Sequence, residues 1–461
     1  MNRKDRNDNG NGNKEKNNKT NKNKKTNNKK TEYDINIHHV TRVEGHGNIF
    51  VNVTDGTVNT CEWNISEAPR YFEAMVLKRK WNELHHITSR ICGICSIGHT
   101  LASLKATETA MDIKIDEQDL KLRKIALHAE NMQSHMLHLG YLVLPDLLNV
   151  GSVIPLASKN PDELKVVIRL HRLANTISDI LCGRTTHPQR LIPGGFSKVP
   201  TIPEVETLKK KLKESIPDLE ALGQLFCNLM DKFPEFWRET EFLALTSPEE
   251  YALYDGMIGS TDTESAPVTE YLAFTNEYMV AQSTAKWTKH VRDSCMVGAL
   301  ARFNINYDLL LPRAKETASL CGLTPVCHNP FMNNIAQLVE VVHSVEDSIR
   351  LFTEIEDSGL EPVPVYNQPD ITVKAGRGVG AVEVPRGILF HDYTYNEEGV
   401  CTKANCVIPT NQNHGNIQRD LEVFVPQLLG KSEKEMELSL EMLVRAYDPC
   451  ISCSTHCITV C

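Results

Sequence analysis

Four cysteines stand in two Cys-x-x-Cys pairs, Cys92 with Cys95 and Cys450 with Cys453. Two intervening residues let a tight loop aim both sulfurs at one point. Two such loops meeting in space make a four-thiolate pocket for a soft metal. A single pair is equally a redox dithiol or half a zinc knuckle. Zinc ribbons separate their pairs by roughly 15 to 20 residues, whereas here hundreds intervene. On spacing alone a metal site competes evenly with chance, and structural zinc is the leading alternative.

The flanking residues narrow this. The first pair lies in Arg90-Ile91-Cys92-Gly93-Ile94-Cys95-Ser96-Ile97-Gly98-His99, the second in Asp448-Pro449-Cys450-Ile451-Ser452-Cys453-Ser454-Thr455-His456. Arg-x-Cys-Gly-x-Cys-x-x-x-His followed by Asp-Pro-Cys-x-x-Cys-x-x-His resembles the large, catalytic subunit of nickel-iron hydrogenases. The resemblance runs from Tyr33 to the C-terminus, and Ser134, where many relatives carry aspartate, is similar to the soluble cytoplasmic branch.

That resemblance implies that Cys92, Cys95, Cys450 and Cys453 hold nickel. Cys95 and Cys453 would also bridge to an iron carrying carbon monoxide and cyanide. Arg42-Val43-Glu44-Gly45-His46 matches the family's opening motif, which implies that Glu44 relays protons from Cys450; read alone, Glu44 is a solvated strand carboxylate. Glu73 stands where the family has a ligand for magnesium or a second iron, with His456 and the Cys406 carbonyl. A hard ion wants oxygen donors, although Glu73 alone reads as an exposed helix residue. Glu383-Val384-Pro385-Arg386-Gly387 resembles the segment that sets an arginine over the metals. A guanidinium there is rigid and always charged, so it polarises without carrying protons; otherwise Arg386 is on a surface hairpin. His99, Pro385, Asp448 and Thr410, the last bonding a cyanide in relatives, would shape the surroundings. Such orienting bonds typically matter ten- to hundredfold.

The implied activity is reversible heterolytic cleavage of dihydrogen into protons and electrons. Electrons must leave through a separate iron-sulfur small subunit, because Cys61, Cys227, Cys295, Cys321 and Cys327 show no ferredoxin-like clustering. Further electron-transfer subunits would be linked to NAD(P), a deazaflavin or a heterodisulfide reductase. No G-x-G-x-x-G opens a strand-helix unit here. Nickel chaperones and a maturation protease are implied too, the protease removing Cys457 to Cys461 behind His456. The alternatives are a non-catalytic hydrogen-sensing homologue and a structural zinc protein. The related quinone-site subunit of respiratory complex I lacks the four thiols.

The elements that must position these residues read as mainly α with a smaller β part. The pattern is a large multi-helix bundle with an N-terminal antiparallel sheet and a strand-containing C-terminal lobe, one domain over 33–461. Alternation from Ile35 with Asp55-Gly56 signals a hairpin. Helices are expected over 68–84, after His99, from an Asp119 N-cap onward, over 164–182 ending at Gly183, and at 204–231, 268–287, 331–357 and 417–446. His128, His135 and His138 on one helix read as hydrogen-bonded core rather than ligands. The loop through Gly183-Arg184-Thr185-Thr186-His187-Pro188 packs near the site. Pro-rich 361–369 leads into strands from Val373, including the glycine-rich Gly376 to Gly380.

Of 461 residues, 41% are hydrophobic and 24% charged, as in a soluble globular protein. No apolar run reaches the ~20 residues of a membrane span, and no signal peptide is visible, so the expected compartment is the cytoplasm. Fourteen cysteines in so long a chain point to reduced thiols and metal ligands, not a disulfide scaffold. Residues 1–30 carry +8, leaving −17 for the rest of a chain at −9. Residues 1–32 read as a disordered basic Asn/Lys arm. Without aromatic residues to stack bases, DNA or RNA binding is disfavoured.

Overall fold

The computed structural model describes residues 32–361 and 371–455. The basic arm to residue 31, most of the Pro-rich passage, His456 and the tail behind it lie outside the described residues. The expected architecture is observed. Strands β1 (Tyr33–Ile37), β2 (Gly47–Thr54) and β3 (Thr57–Ile65) form an antiparallel sheet in that order. Asp55 and Gly56 close the β2–β3 hairpin, both with positive φ, as a two-residue turn requires.

Two short helices, α1 (Phe72–Val76) and α2 (Leu84–Thr88), replace the single helix expected over 68–84. The intervening chain bonds elsewhere: Lys78 N–H donates to the Cys401 carbonyl at 2.8 Å, and Trp81 N–H to that of Gly399 at 2.9 Å. These tertiary bonds replace the intrahelical ladder. Helix α3 (Ser96–Met111) starts directly behind Cys95, and α4 (Glu117–Leu137) follows. The N-cap of α4 is Asp116, not Asp119: its carboxylate accepts the Asp119 amide at 2.7 Å, which satisfies an orphan first-turn donor.

Beyond α4 a six-residue π-helical stretch, His138–Val143, leads to α5 (Leu144–Leu147), α6 (Val153–Lys159) and α7 (Pro161–Cys182). Gly183 terminates α7 in the left-handed region, as expected. A small hairpin, β4 (Leu191–Ile192) and β5 (Gly195–Phe196), precedes α8 (Ile202–Glu214) and α9 (Ile216–Asn228). The helix expected over 204–231 is thus two, broken where Pro217 enters the first turn of α9 without an N–H to donate.

Next come β6 (Glu241–Thr246), β7 (Met257–Ser260), α10 (Tyr271–Thr275) and β8 (Cys295–Met296). The helix expected over 268–287 stops at left-handed Asn276, after which Tyr278 pairs with Trp287 as extended chain. Helices α11 (Ala299–Asn306), α12 (Pro312–Leu320) and α13 (Asn333–Ser358) follow. α13 packs along α4 and α4 along α7, forming the buried centre of the bundle. The two α4 histidines and His138, which opens the π-helical stretch, are core, as expected. His128 bonds Ser344 and Asp347, His135 bonds Glu340, and His138 bonds Gln337.

The C-terminal sheet has the order β11 (Cys401–Val407), β10 (Gly387–Tyr395), β9 (Gly376–Val384), all antiparallel. The glycine-rich start of β9 lies against α3. A Cβ at Gly376, Gly378 or Gly380 would come within 2.3, 2.0 and 2.1 Å of the carbonyl oxygens of Ala110, Ala106 and Ala102. Backbone approaches backbone there, which only glycine allows. Finally α14 (Pro409–Leu428) and α15 (Glu433–Ala446) divide the expected 417–446 helix, since Ser432 and Glu435 form a capping box that starts α15 afresh.

Candidate metal centre

Helix α3 presents the first cysteine pair at its N-terminus, and the second follows the end of α15 in a short 3-10 turn, Ser452–Ser454. Although 358 residues apart in sequence, Cys92 Sγ and Cys450 Sγ lie 3.6 Å from each other. The sulfurs of Cys92, Cys450 and Cys453 fall within 4.8 Å of one another, all buried. Cys95 adjoins them: its amide donates to Cys92 Sγ at 3.1 Å. A hydrogen bond from Cys95 pulls the Cys92 thiol down to about 7 against its burial, with help from Arg386, while Cys95 is pushed up. The bond thus favours the thiolate on Cys92 over Cys95.

The sulfurs of Cys450 and Cys453 lie directly against each other. The turn between them aims both sulfurs at one point, the same convergence a shared metal needs. A metal is held there only once both are thiolates.

Arg386 occupies the tight β9–β10 turn, where Val384 pairs with Gly387. It is buried rather than on a surface hairpin, at 4% exposure. Its guanidinium spans the two cysteine loops: Nη1 donates to Cys95 Sγ at 3.3 Å, Nη2 to Asp448 Oδ1 at 2.8 Å and Nε to the Asp448 carbonyl at 2.5 Å. Nη1 also lies 3.3 Å from the Ser134 hydroxyl. The Pro385 carbonyl accepts from Arg302 at 3.0 Å. His99 Nδ1 sits 3.1 Å from His391 Nε2, whose Nδ1 meets the Tyr393 hydroxyl at 2.6 Å. The Thr410 hydroxyl accepts the Cys450 amide at 3.0 Å.

Glu44 pairs with Cys450 through a backbone bridge, and its carbonyl accepts the Ile451 amide at 3.0 Å. Its carboxylate is half-buried, not solvated, and takes the Ser452 amide at 3.1 Å and the Ser452 hydroxyl. The loop carrying Glu44 is held by a buried ion cluster. Arg42 and Arg445 both pair with Asp146, and Arg445 Nη1 donates to the Thr41 carbonyl at 2.6 Å. Glu73 is buried, not an exposed helix residue. Its Oε1 accepts the Cys406 amide at 3.0 Å and lies 3.8 Å from Lys286 Nζ. Glu73 thus meets Cys406 through the Cys406 amide, while His456 lies outside the described residues.

A family model described as nickel-dependent hydrogenase matches residues 70–169 and 251–456, and one described as HoxL-like matches 34–68. Sulfhydrogenase 1 subunit alpha of Pyrococcus furiosus is 33% identical over 92% of this chain and 98% of its own. The chain belongs to the nickel-dependent hydrogenases. The beta subunit of the NAD-reducing hydrogenase HoxS of Cupriavidus necator is 27% identical, over 92% of this chain and 94% of that subunit. Among solved structures, an NAD+-reducing [NiFe]-hydrogenase in the H2-reduced state superposes with a TM-score of 0.81 at 25% identity, covering 93% of this chain and 100% of that one. A [NiFeSe]-hydrogenase of Dm. baculatum shares the fold at a TM-score of 0.69. The chain is therefore a large subunit of an oxidoreductase family, and no helix among the described residues is long and apolar enough to cross a membrane.

Several residues of this hydrogenase around the centre escaped sequence reasoning. Glu130, on α4, accepts the Ile97 and Gly98 amides at 2.7 and 3.1 Å and so caps α3 directly behind Cys95. Burial pushes its carboxyl up to about 8. Arg302 supports the Arg386 turn, donating to Glu383, the Val384 carbonyl and the Pro385 carbonyl while pairing with Glu340. The available signal was a charge inside an apolar run: Glu340 stands in Leu338-Val339-Glu340-Val341-Val342, and Glu130 is one seven-residue step from buried Arg123.

Proposed function

We propose that this subunit splits dihydrogen reversibly and heterolytically into protons and electrons. Nickel would be held by the thiolates of Cys92, Cys95, Cys450 and Cys453, with Cys95 and Cys453 shared by an iron that carries carbon monoxide and cyanide. The observation carrying this reading is the meeting of two remote cysteine pairs in a buried pocket spanned by Arg386. The donor set fits, because soft sulfur suits nickel and low-spin iron. When bound, the metals supply the centre that polarises dihydrogen and accepts its electron pair.

The chain's own residues do the rest. Arg386 directs positive charge into the pocket, and Asp448 holds it there from both its carboxylate and its carbonyl. Cys450 Sγ takes the released proton, and Glu44, bridged to the same residue, passes it outward. Burial excludes water from the sulfurs. Glu73, the Cys406 carbonyl and His456 would hold magnesium or a second iron; the burial of Glu73 against the Cys406 strand supports this. Electrons would pass to an iron-sulfur small subunit in a cytoplasmic complex with further electron-transfer subunits.

Purified complex, isolated without oxygen, is expected to contain nickel and iron and to reduce a viologen dye with dihydrogen. Zinc alone, with no dihydrogen-dependent reduction, would overturn the proposal.

A further inference from the structure

Arg386 touches the Cys95 sulfur, but a second arginine joins the two cysteine loops without touching a sulfur. Arg70 lies just ahead of α1. Its Nη2 donates to the Ile91 carbonyl at 2.6 Å and to the Ser452 carbonyl at 2.6 Å, and its Nε donates to Ser452 again at 3.0 Å. Its own amide donates to the Thr455 carbonyl at 2.7 Å, and its guanidinium lies 5.2 Å from the Phe72 ring. Ile91 immediately precedes Cys92, and Ser452 immediately precedes Cys453. One nitrogen thus holds a carbonyl of each loop, keeping the two oxygens within about 5 Å of each other.

We propose that Arg70 is a positioning residue that locks the two cysteine loops into register, so that the chain presents four convergent thiols before any metal arrives. This rests on the four-thiolate reading above. The planar fork is suited to it, since it addresses two carbonyls at once from a fixed geometry, whereas a lysine ammonium is a single point on a flexible stem. The position in sequence adds a second role. Arg70 is three residues before Glu73, so the segment that registers the cysteine loops also carries the carboxylate facing Cys406. Removing the Arg70 side chain removes no candidate ligand; it leaves the Ile91 carbonyl, beside a buried side chain, without this donor.

The test uses the reduced, metal-free full-length chain under nitrogen, titrated with cobalt(II). Thiolate-to-cobalt charge transfer counts the sulfurs around the ion, which overall stability does not set. Wild type is expected to show the intensity of a tetrahedral four-thiolate ion. Arg70→Ala is expected to keep its cooperative thermal unfolding and to show about half that intensity, one loop's pair in place of two. Full intensity in Arg70→Ala overturns the proposal. Should that variant lose cooperative unfolding, Arg70→Lys decides, because it keeps the charge without the fork: reduced intensity supports the clamp and wild-type intensity overturns it. Absence of four-thiolate bands in wild type would instead refute the pocket reading itself.

Discussion

Replacing Glu340 by glutamine tests whether the Arg386 turn is held from below by a buried ion network. Glu340 is 2% exposed and Arg302 fully buried. The carboxylate accepts Arg302 Nε and Nη2 at 2.6 Å each, the Tyr251 hydroxyl at 2.7 Å and His135 Nε2 at 2.8 Å. Glutamine keeps one acceptor oxygen, turns an N–H2 toward donors and removes the negative charge, leaving Glu383 as the remaining carboxylate on Arg302, at 2.8 Å. Breaking a buried pair from one side costs 3–5 kcal/mol, and because Glu383 stays, about 3 kcal/mol is expected. Over 461 residues, an unfolding entropy of about 2.1 cal/mol/K per residue amounts to about 1 kcal/mol/K. The thermal midpoint should therefore fall by about 3 °C. Burial pushes the Glu340 carboxyl up, but Arg302 prevails and holds it below its ordinary 4.5. Its contribution is present above that value and lost as pH falls further, so the deficit should be constant from neutral pH down to about 5 and shrink below. Scanning calorimetry from pH 4 to 8, with Glu340→Asp as the charge-retaining control, measures it. A midpoint within about 1 °C of wild type, or an equal loss in the aspartate variant, would refute the charge argument.

Other outcomes follow from single contacts. A Cβ at Gly98 would sit 2.1 Å from Val384 Cγ1 and 2.8 Å from Glu130 Oε1, so Gly98→Ala should cost about 1–3 kcal/mol in chemical denaturation and lower dihydrogen turnover; wild-type values for both would show that α3 yields freely. Asp119 is raised to about 6 by burial first and Asp116 second. Its protonated form stabilises the fold at low pH and that contribution fades as pH rises through 6, so Asp119→Asn should raise the midpoint at pH 7.5 and leave it unchanged at pH 4. Equal gains at both pH values would contradict this. Glu73→Gln should lower magnesium or iron by one hard ion per chain in elemental analysis while nickel stays; an unchanged count would place that ion elsewhere.

The cysteine motifs were legible because they are local in sequence and chemically specific, and the 3.6-residue period placed α3, α7 and α13 well. Boundaries failed where a tertiary bond or a cap outweighed periodicity. The Lys78 and Trp81 amides bond the Gly399–Cys401 loop, and Ser432 restarts a helix within one apolar pattern. Asp116 and Asp119 are both plausible caps; only the direction of the bond between them distinguishes the two. Arg70, Glu130, Arg302 and Lys286 were illegible for another reason. A charged side chain reads as a wet surface until its buried partner, here up to 382 residues away, is known.

The 358 residues between Cys92 and Cys450 also impose a timetable. At roughly 5–20 residues per second, a ribosome needs about 20–70 s to travel from the first thiol pair to the second. On the four-thiolate reading, the nascent polypeptide carries the first pair without the second throughout that interval, so a stray ion meets only a weak bidentate site there. Commitment to a cofactor is thereby deferred until the second pair has been made.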